Sequence, residues 1–115
     1  MKLQASASDL LAQLQTVSRV ASTRLAVHAL SGVQVVAENG SVELRATDME
    51  VGLRVPVRAE VIRPGTCVVP ARLTVDVVRA LPSDQVTLEL RPAEQDVEII
   101  SGSATFHIRA LRGED

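Results

Sequence analysis

The chain has almost no aromatic side chains: Phe106 is the only one among 115 residues, and tyrosine and tryptophan are missing. Proteins that bind single-stranded nucleic acid commonly stack the bases on aromatic rings, so this composition argues against that mode of binding. Lysine is also scarce, because Lys2 is the only lysine among twelve basic residues and the rest are arginine. The net charge of −2 neither favours nor excludes nucleic acid. If the chain meets DNA, we expect its arginines to contact phosphates.

Cysteine and long apolar runs are lacking too. The single Cys67 cannot form an internal disulfide, and its position in the apolar run TCVVPA predicts a buried side chain in a protein of a reducing compartment. No apolar stretch reaches the roughly 18 residues that a membrane span needs, and the N-terminus has no long apolar core of a signal peptide. We therefore expect a cytoplasmic location. The length fits one domain over residues 1–115.

The first half of the chain predicts a strand, a helix and three strands. Ser6 is a suitable N-cap for an amphipathic helix over about residues 7–20. Asn39-Gly40 is the strongest short signal for a hairpin. Pro56 cannot donate a backbone hydrogen bond, so the strand that contains it is expected at a sheet edge. The predicted strands are 1–6, 32–38, 41–47 and 49–61, and the apolar stripe of the helix is Leu10, Leu14, Val17 and Ala21.

The second half repeats that order. A short strand at 67–70 leads into a helix at 71–82, which Pro82 ends, and strands follow at 86–92, 96–101 and 102–112. The predicted apolar stripe of this helix is Leu73, Val77 and Leu81. Because two helices cannot cover both faces of eight strands, the pattern predicts an α+β fold with both helices on one face of the β layer.

Two acidic residues lie where the third predicted strand passes into the fourth. Asp48 and Glu50 flank Met49, and two carboxylates that face a common gap can hydrolyse glycosides. No histidine or lysine is near them in sequence, and aspartate at a turn normally bonds its own backbone. We therefore favour a turn that reverses a hairpin, and keep a carboxylate-dependent hydrolase as the alternative.

Neither histidine indicates a site. His28 and His107 have no metal-ligand spacing and no neighbouring nucleophile, and the glycines form no phosphate-binding loop. We expect no catalytic residue, no metal and no cofactor.

Arginines lie along the helices. Arg72, Asp76 and Arg79 fall on one stripe of the second helix, Arg19 lies near the end of the first, and Arg24 follows in the connector. Spacing alone favours a solvated face with one ion pair, and a phosphate-binding surface is the alternative.

The last predicted strand presents a similar choice. Phe106 and Ile108 share one face of it. Core packing is the default interpretation, and an exposed edge that pairs with another chain is the alternative.

Four segments resemble a known family. They are LLAQLQTVSRVASTR, NGSVELRATDMEV, PGTCVVPARLTVDVVRALP and SATFHIRAL, and they occur in the family's order and at similar distances. On these motifs the whole chain resembles the N-terminal domain of the bacterial DNA polymerase III beta subunit, the sliding clamp. The repeated strand–helix–three-strand order is the architecture of that domain.

The resemblance implies a non-enzymatic processivity factor. A family chain has three such domains, and two chains close head to tail into a homodimeric ring around duplex DNA, which it contacts without sequence preference. The ring tethers DNA polymerase III and is opened by a clamp loader. The family continues beyond LRGED, so we expect this chain to be a fragment. A free-standing interaction domain of the same fold remains the alternative.

The resemblance also implies site residues. Arg24 and Arg72 match positions near DNA, with Arg79 and Arg19 as additions. Phe106 and Ile108 match apolar residues at the subunit interface.

Overall fold

The computed structural model describes residues 1–19, 32–47 and 52–111. In these ranges the chain forms two helices and nine strands. The helices are α1 (Ala7–Ser18) and α2 (Ala71–Arg79). The strands are β1 (Lys2–Ser6), β2 (Gly32–Glu38), β3 (Ser41–Thr47), β4 (Gly52–Val57), β5 (Ala59–Arg63), β6 (Gly65–Pro70), β7 (Gln85–Arg91), β8 (Asp96–Ser101) and β9 (Ala104–Arg109).

The first helix begins where the sequence predicts. The Ser6 Oγ accepts a hydrogen bond of 3.4 Å from the backbone N–H of Asp9 and so caps the first turn. Leu10, Leu14 and Val17 are buried, which confirms the predicted stripe. Its fourth member, Ala21, lies outside the described residues.

The apolar stripe predicted for the second helix is only partly right, because Val77 and Leu81 are half-buried and pack against the core but Leu73 does not. The buried residues of α2 are Ala71, Thr74, Val75 and Val78, whereas Leu73 is 50% exposed. Two overlapping apolar stripes run along this helix, and the local sequence does not indicate which of them is buried. The stripe that is buried carries the smaller side chains, and α2 contacts α1.

The hairpin between β2 and β3 has the predicted turn. Asn39 and Gly40 both have positive φ, 52° and 78°, as a two-residue turn of the primed type requires. β4 lies at a sheet edge with Pro56 in it, as expected. Residues 49–51 lie outside the described residues, and the rest of the strand predicted over 49–61 is two strands, because the strand is interrupted at Arg58 and β5 belongs to the other sheet.

The strands form two antiparallel sheets where the sequence predicted a single layer of eight. The five-stranded sheet has the order β5-β1-β7-β8-β9, and the four-stranded sheet has the order β4-β3-β2-β6. β1, from the first half, therefore pairs with β7, and β6, from the second half, pairs with β2. This exchange interlocks the two halves. A bridge between Val68 and Leu111 also joins β6 to the segment that follows β9.

One hydrophobic core joins both sheets and both helices. The helices lie side by side: α1 contacts α2 as well as β1 to β4, and α2 contacts β6. Cys67 is buried in this core as predicted, and burial raises the pKa of its thiol to about 12. In the part of the chain that the structure describes, neither helix has the length and apolarity to cross a membrane.

Candidate nucleic-acid interface

The helix pair exposes most of the arginines that the sequence singled out. Arg19 forms the C-cap of α1, Arg72 and Arg79 lie in α2, and all three are exposed. The structure therefore brings three of the four candidate residues to the two adjacent helices. The fourth, Arg24, lies outside the described residues.

An ion pair on α2 involves Arg79. Its Nη1 lies 3.6 Å from the Oδ1 of Asp76, and the two side chains are 59% and 61% exposed. The ion pair expected from the sequence is thus present, with the arginine three residues after the aspartate as the partner. Exposed pairs of this kind are weak and are screened by salt.

The charge of the helix pair is nearly balanced. Its charged residues in the described ranges are Arg19, Arg72 and Arg79 against Asp9 and Asp76. Three positive charges against two negative ones leave only a small net attraction for a phosphate backbone, and few phosphate contacts give a shallow dependence of affinity on salt.

A distant aspartate fixes the first turn of α1. Asp84 precedes β7, and its carboxylate accepts hydrogen bonds from the Ser8 backbone N–H at 3.1 Å and from the Ser6 Oγ at 2.9 Å. These hydrogen bonds, with the one from Ser8 the strongest cause, lower the pKa of Asp84. The backbone N–H of Ala7 also donates to the carbonyl of Asp84. Sequence reasoning missed this contact, because nothing in the local pattern links residues so far apart.

A groove lies beside α1, where β4 passes into β5. Its volume is about 530 Å³. Its lining residues are Asp9, Ala12, Gln13, Pro56, Val57 and Arg58. The groove contains a single carboxylate, so it does not supply the carboxylate pair that the hydrolase alternative requires.

Of the residues of the hydrolase alternative, the structure describes only His107. Asp48, Glu50 and His28 lie outside the described residues. His107 is exposed on β9, with its Nε2 3.0 Å from Glu98 Oε2. Among the described side chains, no group of three or more histidine, cysteine or acidic residues could hold a metal ion.

The last strand, β9, is an edge strand of the five-stranded sheet. Phe106 lies opposite Ile99 and is half-buried, while Ile108 lies opposite Val97 and is only 2% exposed. The side chain of Ile108 is therefore enclosed by the domain itself, as the core interpretation predicts, and its place at a subunit interface stays a prediction. Phe106 is half-buried against the core, and among the described residues no further strand pairs with the outer edge of β9, which is the kind of edge that can pair with another chain.

Solved structures share this fold. The DNA polymerase sliding clamp of Caulobacter crescentus is 28% identical and superposes over 100% of this chain with a TM-score of 0.91. A sliding clamp of Pseudomonas aeruginosa, solved with griselimycin bound, is 31% identical over 99% of the chain with a TM-score of 0.85. The interlocked sheets and the paired helices thus define an α+β domain of the sliding-clamp class.

Sequence comparisons agree. The family model for the N-terminal domain of the DNA polymerase III beta subunit matches residues 1–115, and the chain belongs to this family. The beta sliding clamp of Pseudomonas aeruginosa is 36% identical over 108 residues, or 92% of this chain. The beta sliding clamp of Synechocystis is 33% identical over 122 aligned positions that cover all of it.

The chain spans about a third of the length of these relatives. It covers 29% of the Pseudomonas protein, 31% of the Synechocystis protein and 31% of the Caulobacter clamp.

Proposed function

We propose that residues 1–115 form the first of three clamp domains in a processivity factor of the bacterial replicative DNA polymerase. The observation that carries the proposal is the pair of adjacent helices whose exposed faces bear Arg19, Arg72 and Arg79. Two copies of the full-length chain would close head to tail around duplex DNA, with these helices toward the duplex.

The small net charge of the helix pair supports a sliding contact. Phosphate contacts position a protein on DNA but carry no sequence information, and each neutralised phosphate adds affinity through counterion release. A closed ring retains DNA by topology, so its contacts can be weak enough to exchange as the ring moves. The near balance of arginine and aspartate on α1 and α2 suits this requirement.

The partners of such a ring would be DNA polymerase III and a clamp loader. The ring would hold DNA polymerase III at its template and so raise the effective concentration of the enzyme there, while a clamp loader opens and closes the ring in the cytoplasm. The chemistry would belong to the polymerase, and the clamp would have no catalytic residue of its own. Phe106 and the edge of β9 would form this domain's part of the subunit interface.

We propose Arg24 and Arg72 as the main phosphate contacts, with Arg19 and Arg79 as lesser ones. Arg72 is an exposed cation on the helix pair, which supports its assignment. Arg24 is proposed from the family resemblance alone.

A salt titration of duplex binding tests the assignment. In the full-length protein, the double substitution Arg24→Ala and Arg72→Ala is expected to reduce the slope of log K against log salt by about 1.8, since each phosphate contact contributes about 0.9. Arg54→Ala is the matched control, because Arg54 is an exposed arginine on β4 and not on either helix. A double variant whose slope equals that of the wild type would remove both residues from the interface.

A further inference from the structure

Asp76 occupies a central position in the arginine stripe of α2. It lies four residues after Arg72 and three residues before Arg79, so all three side chains project from neighbouring turns of one helix face. In the described structure its carboxylate pairs with Arg79 at 3.6 Å. All three residues are exposed. The face proposed to meet DNA thus has a carboxylate between its two cations.

That carboxylate opposes phosphate binding in two ways. A phosphate that approaches Arg79 must replace Asp76 as its partner, so part of the gain from the new contact is offset by the lost ion pair. The carboxylate also repels phosphates near Arg72, since like charges at this spacing raise the energy. The ion pair between Asp76 and Arg79 contributes little to the stability of the fold, because both side chains are exposed.

We propose that Asp76 limits the grip of the helix pair on DNA by withholding Arg79 from the phosphate backbone. This inference rests on the proposed function and adds a positioning residue to it. Arg79 is exposed but paired with Asp76. The domain therefore makes fewer phosphate contacts than its number of arginines would allow. A ring built from such domains moves along DNA more readily than one whose arginines are all engaged.

A double-mutant cycle tests the proposal in the full-length protein, with a fluorescent duplex and a salt titration. Asp76→Asn removes the carboxylate and is expected to steepen the slope of log K against log salt by about 0.9, the contribution of one further phosphate contact. Arg79→Ala alone is expected to lower the wild-type slope by clearly less than the value of about 0.9 that a full phosphate contact contributes, because Arg79 is partly engaged by Asp76. The same substitution in the Asp76→Asn background is expected to abolish the gain.

Two matched variants separate this effect from a general change of charge. Asp9→Asn removes an equal charge from the exposed face of α1, where no ion pair to another described residue forms, and its slope is expected to stay at the wild-type value. Asp76→Glu keeps a carboxylate within reach of Arg79 and is expected to behave like the wild type.

The outcomes distinguish this inference from the proposed function. The inference is overturned if Asp76→Asn leaves the slope unchanged, or if it steepens the slope equally when Arg79 is absent. If that happens while Arg24→Ala with Arg72→Ala still lowers the slope, the proposed DNA contact stands and only the role of Asp76 falls. If the Arg24 and Arg72 variant also has the wild-type slope, the contact assignment itself fails.

Discussion

The backbone N–H of Ser8 donates a hydrogen bond of 3.1 Å to the carboxylate of Asp84, a residue 76 positions further along the chain. The same carboxylate accepts from the Ser6 hydroxyl, so it satisfies donors at the start of α1 that the helix itself cannot pair. The second half of the chain thus holds the first helix at its N-terminus, where negative charge is favoured by the helix dipole.

This contact predicts a pH-dependent contribution to stability. The folded-state pKa of Asp84 lies below its ordinary value of 3.8. The contribution is therefore present above about pH 4 and is lost as the pH falls through the folded-state pKa. Asp84→Asn is expected to lower the thermal midpoint by a few degrees at pH 7, and the difference from the wild type should shrink toward pH 2.

Circular dichroism melts between pH 2 and 7 would measure this difference. Glu60→Gln is the control, because Glu60 is an exposed carboxylate on β5 with no ion pair to another described residue. A difference between wild type and Asp84→Asn that is constant across this range would contradict the linkage. Asp96 adds a contribution of the same sign in both proteins, since hydrogen bonds from Arg91 lower its pKa too.

Thr74 is a buried hydroxyl in α2. It is 1% exposed, and its Oγ1 has no hydrogen-bond partner among the described residues. Because a buried polar atom without a partner costs free energy, Thr74→Val is expected to raise the free energy of unfolding by about 1 kcal/mol.

Urea denaturation would measure this change. The exposed Thr66 on β6 offers the same chemical change at the surface, and Thr66→Val is expected to stay within about 0.5 kcal/mol of the wild type. A loss of stability in Thr74→Val would show that the hydroxyl is paired.

The accessible edge of β9 predicts self-association of this chain. Phe106 is half-buried on an edge strand whose outer side pairs with no strand in the described part of the chain, and such an edge can pair with another chain. Phe106→Asp places a charge on that edge and is expected to give a monomer at concentrations where the wild type has a higher mass.

Sedimentation equilibrium at high concentration would compare the two masses. Thr105→Asp, on the opposite face of the same strand, is the control for added charge. It is expected to self-associate more strongly than Phe106→Asp. Equal monomer masses for wild type and Phe106→Asp would show that the edge does not mediate association.

Local sequence predicted most of the elements because their signals are local. Ser6 caps α1, Asn39-Gly40 turns the first hairpin, and Pro56 lies on an edge strand, and each follows from the backbone chemistry of one or two residues. The motifs from LLAQLQ to ATFHIRAL were likewise sufficient to indicate the family. The arginines of α2 were found as a stripe because helical spacing is fixed.

Long-range packing decided the rest. Whether Leu73 or Val75 faced the core depended on how α2 packs in the domain, and the burial of Ile108 depended on β8 beside it. The split of the strands into two sheets, with β1 and β6 exchanged between the halves, required pairings between residues far apart in the chain. Sequence by itself determined the order of the elements and the charges on their surfaces, because both are set within a few residues. Only the tertiary structure decided which apolar stripe is buried and which arginine has Asp76 as its partner, because these depend on the distances between side chains once the elements have packed.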